Sequence, residues 1–135
     1  MRIVSVFLVL LLQSFSPPAQ QPPRVDPAKP TSVNPVYREP RKGESVVEGL
    51  LQRVECPRGR PVRFTLRVKK AVERFEAPQL GDVEYIAHTP DFKGPMSCGG
   101  RGKGDRVRLT WKKVADTRRV VAIEFLPNDS PGGAY

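Results

Sequence analysis

The sequence predicts an all-β fold, a small closed or nearly closed barrel of five or six short strands. Apolar and polar residues alternate with a period of two in several stretches, as on strands with one buried face, and the helical period is nearly absent. Proline and glycine separate these stretches, as expected of turns. Once the two ends are set aside, about 84 residues, 44–127, remain to fold, which is enough for one small domain.

The N-terminus has the layout of a secretory signal peptide. Met1-Arg2 precedes the apolar run Ile3–Leu12, and a polar tail follows. A helix of about ten residues rises about 15 Å, half of what a bilayer core requires, so we expect no stable membrane span. The sequence therefore predicts a signal peptide at 1–19 and an exported chain, periplasmic or secreted. Cleavage after Ser16 and cleavage after Ala19 both stay open.

Proline dominates the next segment. Eight prolines lie between Pro17 and Gly43, with almost no apolar periodicity, so residues 20–43 are predicted to form an extended, disordered linker. Such a linker is either a tether or a proline-rich ligand for a partner. Residues 128–135 are expected to form a second disordered tail.

The clearest strand begins at Val62. Val62, Phe64, Leu66 and Val68 share one face there, and the residues between them are Arg63, Thr65 and Arg67. The preceding stretch, Val46–Cys56, changes parity partway, which predicts a β-bulge or sharp bend. Pro57–Arg60 supplies a hairpin turn between the two.

Four further strands follow along the chain, with an irregular crossing between Ala87 and Gly104. They are predicted at Val72–Ala77, Asp82–Ala87, Asp105–Val114 and Arg119–Leu126. The inward parity of all the strands predicts a core that contains Leu51, Phe64, Leu66, Val107, Leu109, Trp111 and Ile123.

Two cysteines lie within the folded segment. An exported chain meets oxidising conditions, so Cys56 and Cys98 are predicted to form a disulfide, worth about 3–4 kcal/mol on the loop-entropy model. A structural zinc site takes four ligands, whereas the two cysteines and His88 provide three, so we expect no metal and no cofactor.

The order of these strands resembles the oligonucleotide/oligosaccharide-binding fold, or OB-fold. More narrowly, the segments Val47-Glu48-Gly49, Val54-Glu55-Cys56, Ser97-Cys98-Gly99 and Val121–Phe125 resemble an uncharacterised small domain of exported bacterial proteins, sometimes found behind tetratricopeptide repeats. That resemblance covers Val46–Leu126 and implies an OB-like barrel at 44–127 and an exported location. It carries no catalytic residues to transfer, and no repeats precede the domain in this chain.

An enzyme has little support in the residues. His88, Asp91 and Ser97 are the three residue types of a Ser-His-Asp catalytic triad. However, no nucleophile elbow or second organising motif accompanies them. We therefore expect a protein that is not an enzyme.

The stretch Ser97–Arg106 combines four glycines with two arginines and a lysine. Exposed backbone N–H groups beside cations could hold an anion, yet neither a Walker loop nor a dinucleotide pattern is present. The sequence favours a mobile connecting loop over a dedicated anion site.

Charge is the strongest functional signal. The formal net charge is +9, and cations project from the polar side of two predicted strands. If those strands share a sheet face, they form a patch that fits a polyanion or a partner protein. The predicted patch comprises Arg63, Arg67, Lys69, Arg106, Arg108 and Lys112.

Three interpretations of the basic surface follow. The first is an exported, non-catalytic interaction module that docks on a protein or an anionic envelope polymer. The second is an OB domain that binds nucleic acid outside the cytoplasm, for which Tyr85 and Phe92 are the candidate stacking residues. The third is that the charge only keeps a small exported domain soluble.

Overall fold

The computed structural model describes residues 36–128 of the chain. The predicted signal peptide, most of the predicted linker and nearly all of the predicted tail lie outside these residues. Among residues 36–128 no helix is long and apolar enough to cross a membrane.

The described chain is all-β, as predicted. Its elements in chain order are β1 (Glu44–Glu55), β2 (Val62–Val68), β3 (Ala71–Ala77), a 3₁₀ turn (Leu80–Asp82), β4 (Glu84–Ala87), β5 (Gly99–Val114) and β6 (Thr117–Phe125).

The strands form one mixed sheet with a ring of hydrogen-bonded neighbours. The sheet order is β3-β2-β1-β5-β6-β4, and β3 also pairs with β6. This last pairing is parallel and joins Glu76 to Arg119. Strand β4 lies parallel to β6 as well, with Tyr85 beside Ile123. The pairings therefore connect β1, β2, β3, β6 and β5 in a closed cycle.

The core contains the residues that alternation predicted, with one exception. Leu51, Phe64, Leu66, Val107, Leu109 and Ile123 are fully buried. Trp111 keeps the inward parity but is only half-buried, and it follows a shift in the β5–β6 register between Thr110 and Trp111. It packs on the edge of the core against Phe75, with ring centroids 5.9 Å apart.

The predicted irregularity in β1 is a bulge next to Gln52. The register of β1 shifts between Leu51 and Arg53 against both neighbouring strands. Because of that shift, Leu51 and Val54 both point into the core although they differ in parity.

The glycine-rich stretch is part of a strand, so the prediction of a mobile connecting loop is wrong. Strand β5 begins at Gly99, six residues before its predicted start at Asp105, and Gly99 and Gly100 pair with Val54 and Arg53. Between these pairs and Asp105, residues 101–104 have no partner in the β1 register. They form an excursion of the strand, in which Gly102 and Gly104 adopt φ of +58° and +91°.

The disulfide is confirmed. Cys56 and Cys98 are bonded, with Cα atoms 5.9 Å apart. The bond connects the end of β1 to the residue before β5, at the point where these two strands are neighbours. It occupies both thiols of the chain, which leaves neither as a metal ligand.

Candidate functional site

Three unpaired arginines lie together on the outer face of β1, β2 and β3. Arg53, Thr65 and Arg74 are direct neighbours across the three strands, and Arg67 lies on the next outward rung of β2. Neighbouring strands are about 4.8 Å apart, so the backbones of Arg53 and Arg74, two strands apart, are separated by about 10 Å. All three arginines are exposed. Their side chains form no hydrogen bond or ion pair with any residue in 36–128.

The cationic surface extends past Arg67 to the hairpin that joins β2 and β3. Lys69 and Lys70 form this two-residue turn, and both are exposed. In the opposite direction the surface ends at the rung Glu55–Arg63–Glu76, where carboxylates outnumber the cation. We call the set Arg53, Arg67, Lys69, Lys70 and Arg74 the basic face.

Only two of the six residues of the predicted patch belong to the basic face, namely Arg67 and Lys69. Arg63 forms an exposed ion pair with Glu55 at 3.5 Å. Arg106 donates to the Pro127 carbonyl oxygen at 3.3 Å. Lys112 is exposed at the far end of β5, opposite Arg119. Strands β2 and β5 lie on either side of β1, so the structure separates what the sequence grouped.

Arg108, the remaining residue of the predicted patch, forms an ion pair with the buried carboxylate of Glu124. Its Nη1 donates to Oε2 of Glu124 at 3.3 Å and to the backbone oxygen of Arg38 at 3.1 Å. The guanidinium also lies over the Tyr37 ring, 5.0 Å from the ring centroid. Arg108 therefore holds the chain's own segment in place.

Sequence reasoning missed three members of the basic face, Arg53, Lys70 and Arg74, of which Lys70 is in the turn after β2. Arg74 lies between Glu73 and Phe75, and alternation within Ala71–Ala77 already places it outward. Arg53 has the same parity as the buried Leu51, so its outward position follows only from the bulge at Gln52.

Residues 36–43 cover the outer face of the other half of the sheet, and we call them the strap. The backbone N–H of Arg38 donates to Oε1 of Glu124 at 2.7 Å. Its guanidinium pairs with Glu44 at 2.8 Å and with Glu84 at 3.1 Å. One residue of the strap thereby contacts carboxylates from β1, β4 and β6.

Glu124 is fully buried, although it has the outward parity of β6. Besides the contacts of Arg38 and Arg108, its Oε1 lies 3.0 Å from Nε2 of His88. A buried carboxylate requires partners of this kind, because loss of hydration is otherwise very unfavourable. Thr110 and Ala122, neighbours on the same outer face, are also fully buried. The burial of this face is consistent with the position of the strap above it.

The strap is held by strong electrostatic contacts. Glu44 accepts hydrogen bonds from the Arg38 guanidinium and from the backbone N–H of Arg41. These bonds, that of Arg38 first, lower the pKa of Glu44 to about 2. The pKa of Arg38 is raised, mainly by the same bond to Glu44.

Within residues 36–128, the His88 side chain contacts a carboxylate and no serine. Its Nε2 faces Glu124, and its ring makes an edge contact with Tyr37 at 5.2 Å between centroids. Asp91 and Ser97 do not join it. The Asp91 backbone N–H instead donates to Oγ1 of Thr89. The structure thus gives His88 a role in holding the strap.

The two aromatic residues proposed for base stacking are engaged within the fold. Phe92 stacks on Phe125 with ring centroids 3.7 Å apart. The hydroxyl of Tyr85 donates to the backbone oxygen of Leu80 at 2.7 Å, and burial raises the pKa of Tyr85 to about 12. Neither ring lies on the basic face.

The glycine-rich excursion of β5 has its own internal ion pair. Nε of Arg101 lies 2.6 Å from Oδ2 of Asp105, which closes the base of the excursion. Lys103 is exposed within it. One of the two excursion cations is therefore already neutralised.

Family models, curated proteins and solved structures were all compared with this chain, and none matches it.

Proposed function

We propose that this chain is an exported, non-catalytic binding module with an OB-like barrel, whose basic face docks on an anionic polymer of the cell envelope or on an acidic protein surface. The observation that carries the proposal is the cluster of Arg53, Arg67 and Arg74, three exposed cations without a partner among the described residues. A surface of this kind attracts polyanions through long-range electrostatics and the release of counterions.

The pairing of the strands supports the OB-like barrel. An OB-fold is a five-stranded Greek-key barrel that binds extended ligands on the face of its second and third strands. Here β1, β2, β3, β6 and β5 form a cycle of hydrogen-bonded neighbours. Most of the basic face lies on β2, β3 and the turn between them.

The disulfide and the residues around His88 support the other parts of the proposal. A Cys56–Cys98 bond is compatible with an oxidising compartment outside the cytoplasm. His88 is engaged with Glu124 under the strap, so it is poorly placed to activate a nucleophile. These features favour an exported binding protein over an enzyme.

Affinity for an immobilised polyanion tests the proposal. The wild-type chain and the triple variant Arg53→Gln, Arg67→Gln, Arg74→Gln are eluted from heparin in a salt gradient, and binding is then measured at several salt concentrations. Each lost contact lowers the slope of log K against log salt by about 0.7–0.9, so we expect the triple variant to lose two to three units.

A charge-matched control separates a specific face from general basicity. The variant Lys93→Gln, Lys113→Gln, Arg58→Gln removes three exposed cations outside the basic face. We expect this control to elute close to the wild type. Equal losses in both triple variants would show that net charge alone is responsible and would contradict the proposal.

Nucleic acid is the second candidate ligand, favoured by the position of the cations on β2 and β3. Single-strand binders add aromatic stacking to charge, yet the largest aromatic exposure among the described residues is that of Tyr37, under the Arg108 guanidinium. We therefore expect a single-stranded oligonucleotide to compete with heparin no better than its charge predicts. Much tighter binding of the oligonucleotide would favour this second function.

A further inference from the structure

Two adjoining cavities lie where β3 meets β6, away from the basic face. The larger has a volume of about 360 Å³, within the usual range for small-molecule sites. The smaller has a volume of about 220 Å³. Both are lined by Pro78 and Arg119, so these two residues belong to the wall of each cavity.

The two cavities differ in chemistry. Apolar side chains form most of the larger one, which is lined by Pro61, Ala77, Pro78, Val114 and Ala115 together with Glu76, Thr117 and Arg119. The smaller cavity adds a second cation, Lys112, and also contains Asp82. An apolar compartment therefore adjoins a compartment with two cations.

These two cations are direct neighbours in the sheet. Lys112 of β5 and Arg119 of β6 lie opposite each other in the antiparallel register. Like charges in this arrangement destabilise a sheet unless an anion lies close to both. Neither side chain has a hydrogen bond or ion pair with any residue in 36–128.

The next rung shows how the chain compensates the same arrangement elsewhere. Lys113 and Arg118 are also opposite each other. There, Oε2 of Glu73 lies 2.7 Å from Nη1 of Arg118 and supplies the missing negative charge. The Lys112–Arg119 rung has no corresponding carboxylate within ion-pair distance among the described residues.

The nearest acidic groups are directed elsewhere. Oδ2 of Asp82 accepts the backbone N–H of Gln79 at 3.1 Å, within its own turn. Glu76 lies between Arg119 on one side and Arg63 on the other in the strand register, so two arginines share it. Glu44, the register neighbour of Lys112, is bound to Arg38.

We infer that Arg119 and Lys112 hold the head group of a small organic carboxylate whose apolar body fills the larger cavity. A guanidinium binds a carboxylate through two parallel hydrogen bonds, and an ammonium adds a point charge from the facing strand. The ligand class follows from the arrangement: one anionic group, attached to an unbranched or small cyclic apolar body. The site is separate from the basic face and does not depend on the function proposed for that face.

Titration of the full chain with octanoate tests this inference, with chemical shifts of backbone amides as the readout. We expect saturable shifts centred on Arg119, Val120 and Ala115. Acetate lacks the apolar body and octan-1-ol lacks the charge, so each should bind at least about tenfold more weakly than octanoate. If acetate or octan-1-ol bound as tightly as octanoate, that result would overturn the inference.

Charge variants locate the head group. Arg119→Gln and Lys112→Gln should each weaken octanoate binding, Arg119→Gln by about tenfold or more because it removes charge-assisted hydrogen bonds. Lys113→Gln is the matched control, since it removes the same charge one residue further along β5 and outside both cavities; its affinity should change less than about twofold. If Arg119→Gln fails to fold, the octanoate affinity of Lys112→Gln decides the test. Wild-type affinity in that variant would overturn the inference.

A steric variant locates the apolar body. Ala115→Leu adds volume at the larger cavity without a change of charge, so octanoate should bind at least about fivefold more weakly while acetate is unaffected. The triple variant of the basic face should bind octanoate like the wild type, whatever it does on heparin. Loss of octanoate binding in that variant would place the ligand on the basic face and contradict the inference.

Discussion

The outer surface of the sheet has two halves that use charge in opposite ways. Over β4, β5 and β6, the carboxylates of Glu84 and Glu124, together with Glu44 of β1, engage Arg38 of the strap, and Arg108 is part of the same network. Over β1, β2 and β3, the cations Arg53, Arg67 and Arg74 are exposed and have no partner within residues 36–128. Both halves belong to one sheet and show the same alternation.

This difference teaches that outward parity does not identify a binding cation. Arg108 and Arg67 both have the outward parity on the two strands that flank β1, yet one supports the fold and the other faces solvent. What separates them is a segment outside the sheet, the strap. An arginine can be assigned to a binding surface only when everything that covers the sheet is known.

The largest expected effect comes from the centre of the covered half. Glu124→Gln leaves the Arg108 guanidinium with no carboxylate partner at a buried site, and we expect a loss of about 3–5 kcal/mol in the free energy of unfolding. Urea denaturation measures it. Glu76→Gln, on the outer face at the edge of the basic half, is the matched control and should lose less than about 1 kcal/mol. Similar losses of unfolding free energy in Glu124→Gln and Glu76→Gln would contradict the claim that only the covered half depends on its charges for stability.

A glycine of the strand shared by both halves gives the next effect. A Cβ atom at Gly49 of β1 would lie 2.6 Å from the backbone oxygen of Arg67. Gly49→Ala must therefore move β1 away from β2, and we expect a loss of about 1–3 kcal/mol. At Gly100, which faces Arg53, a Cβ atom would meet nothing within 4 Å. Gly100→Ala should be neutral or slightly stabilising, and an equal loss at both positions would contradict the predicted clash.

Acid should release the strap before it affects the basic half. The pKa of Glu44 is about 2, below its ordinary value of 4.5, so its contribution to stability is complete above pH 4.5 and disappears as the pH falls towards 2. Arg38→Gln removes the main cause of that shift and should lower stability at pH 7 by about 1–2 kcal/mol.

The pH profile is the measurement that checks the role of Arg38. Unfolding free energies between pH 2 and pH 7 should fall less steeply below pH 4.5 in Arg38→Gln than in the wild type. An unchanged slope would show that another group causes the acid sensitivity.

The smallest effects are expected in the basic half. Arg53→Gln, Arg67→Gln and Arg74→Gln should each change the free energy of unfolding by less than about 0.5 kcal/mol, because exposed charges without partners contribute little to stability. Thermal melts measure this. A loss above about 1 kcal/mol in any of them would indicate a structural role for that arginine.

Alternation within each strand made the core predictable. Phe64, Leu66, Val107 and Leu109 lie inside as expected, because a strand with one buried face leaves a period of two in the sequence. Trp111 has the same parity but is only half-buried at the edge of the core, because parity gives the face of a residue and not how far its neighbours cover it.

The candidate site was less predictable because it depends on contacts between distant segments. The hydrogen bond from Arg38 to Glu124 joins residues that are 86 positions apart in the sequence. The residues next to Glu124 in the sequence therefore do not indicate that this carboxylate is buried. In the same way, the early start of β5 depends on the pairing of Gly99 and Gly100 with β1, which outweighs the weak strand propensity of glycine. Local patterns predict which face of a strand is apolar, whereas distant partners decide which charges remain exposed.

The position of β6 in the chain has a consequence for the order in which the protein can fold. This strand is the partner of β5, of β4 and, through Arg119, of β3, and it follows all three of them in the chain. While the chain is being synthesised, the cycle of strands therefore has no closing member until Thr117–Phe125 has emerged. Pairings between strands so far apart in sequence also form slowly. Until β6 joins, β3 and β5 are the two edges of an open four-stranded sheet, and their unpaired backbone groups can pair with other chains.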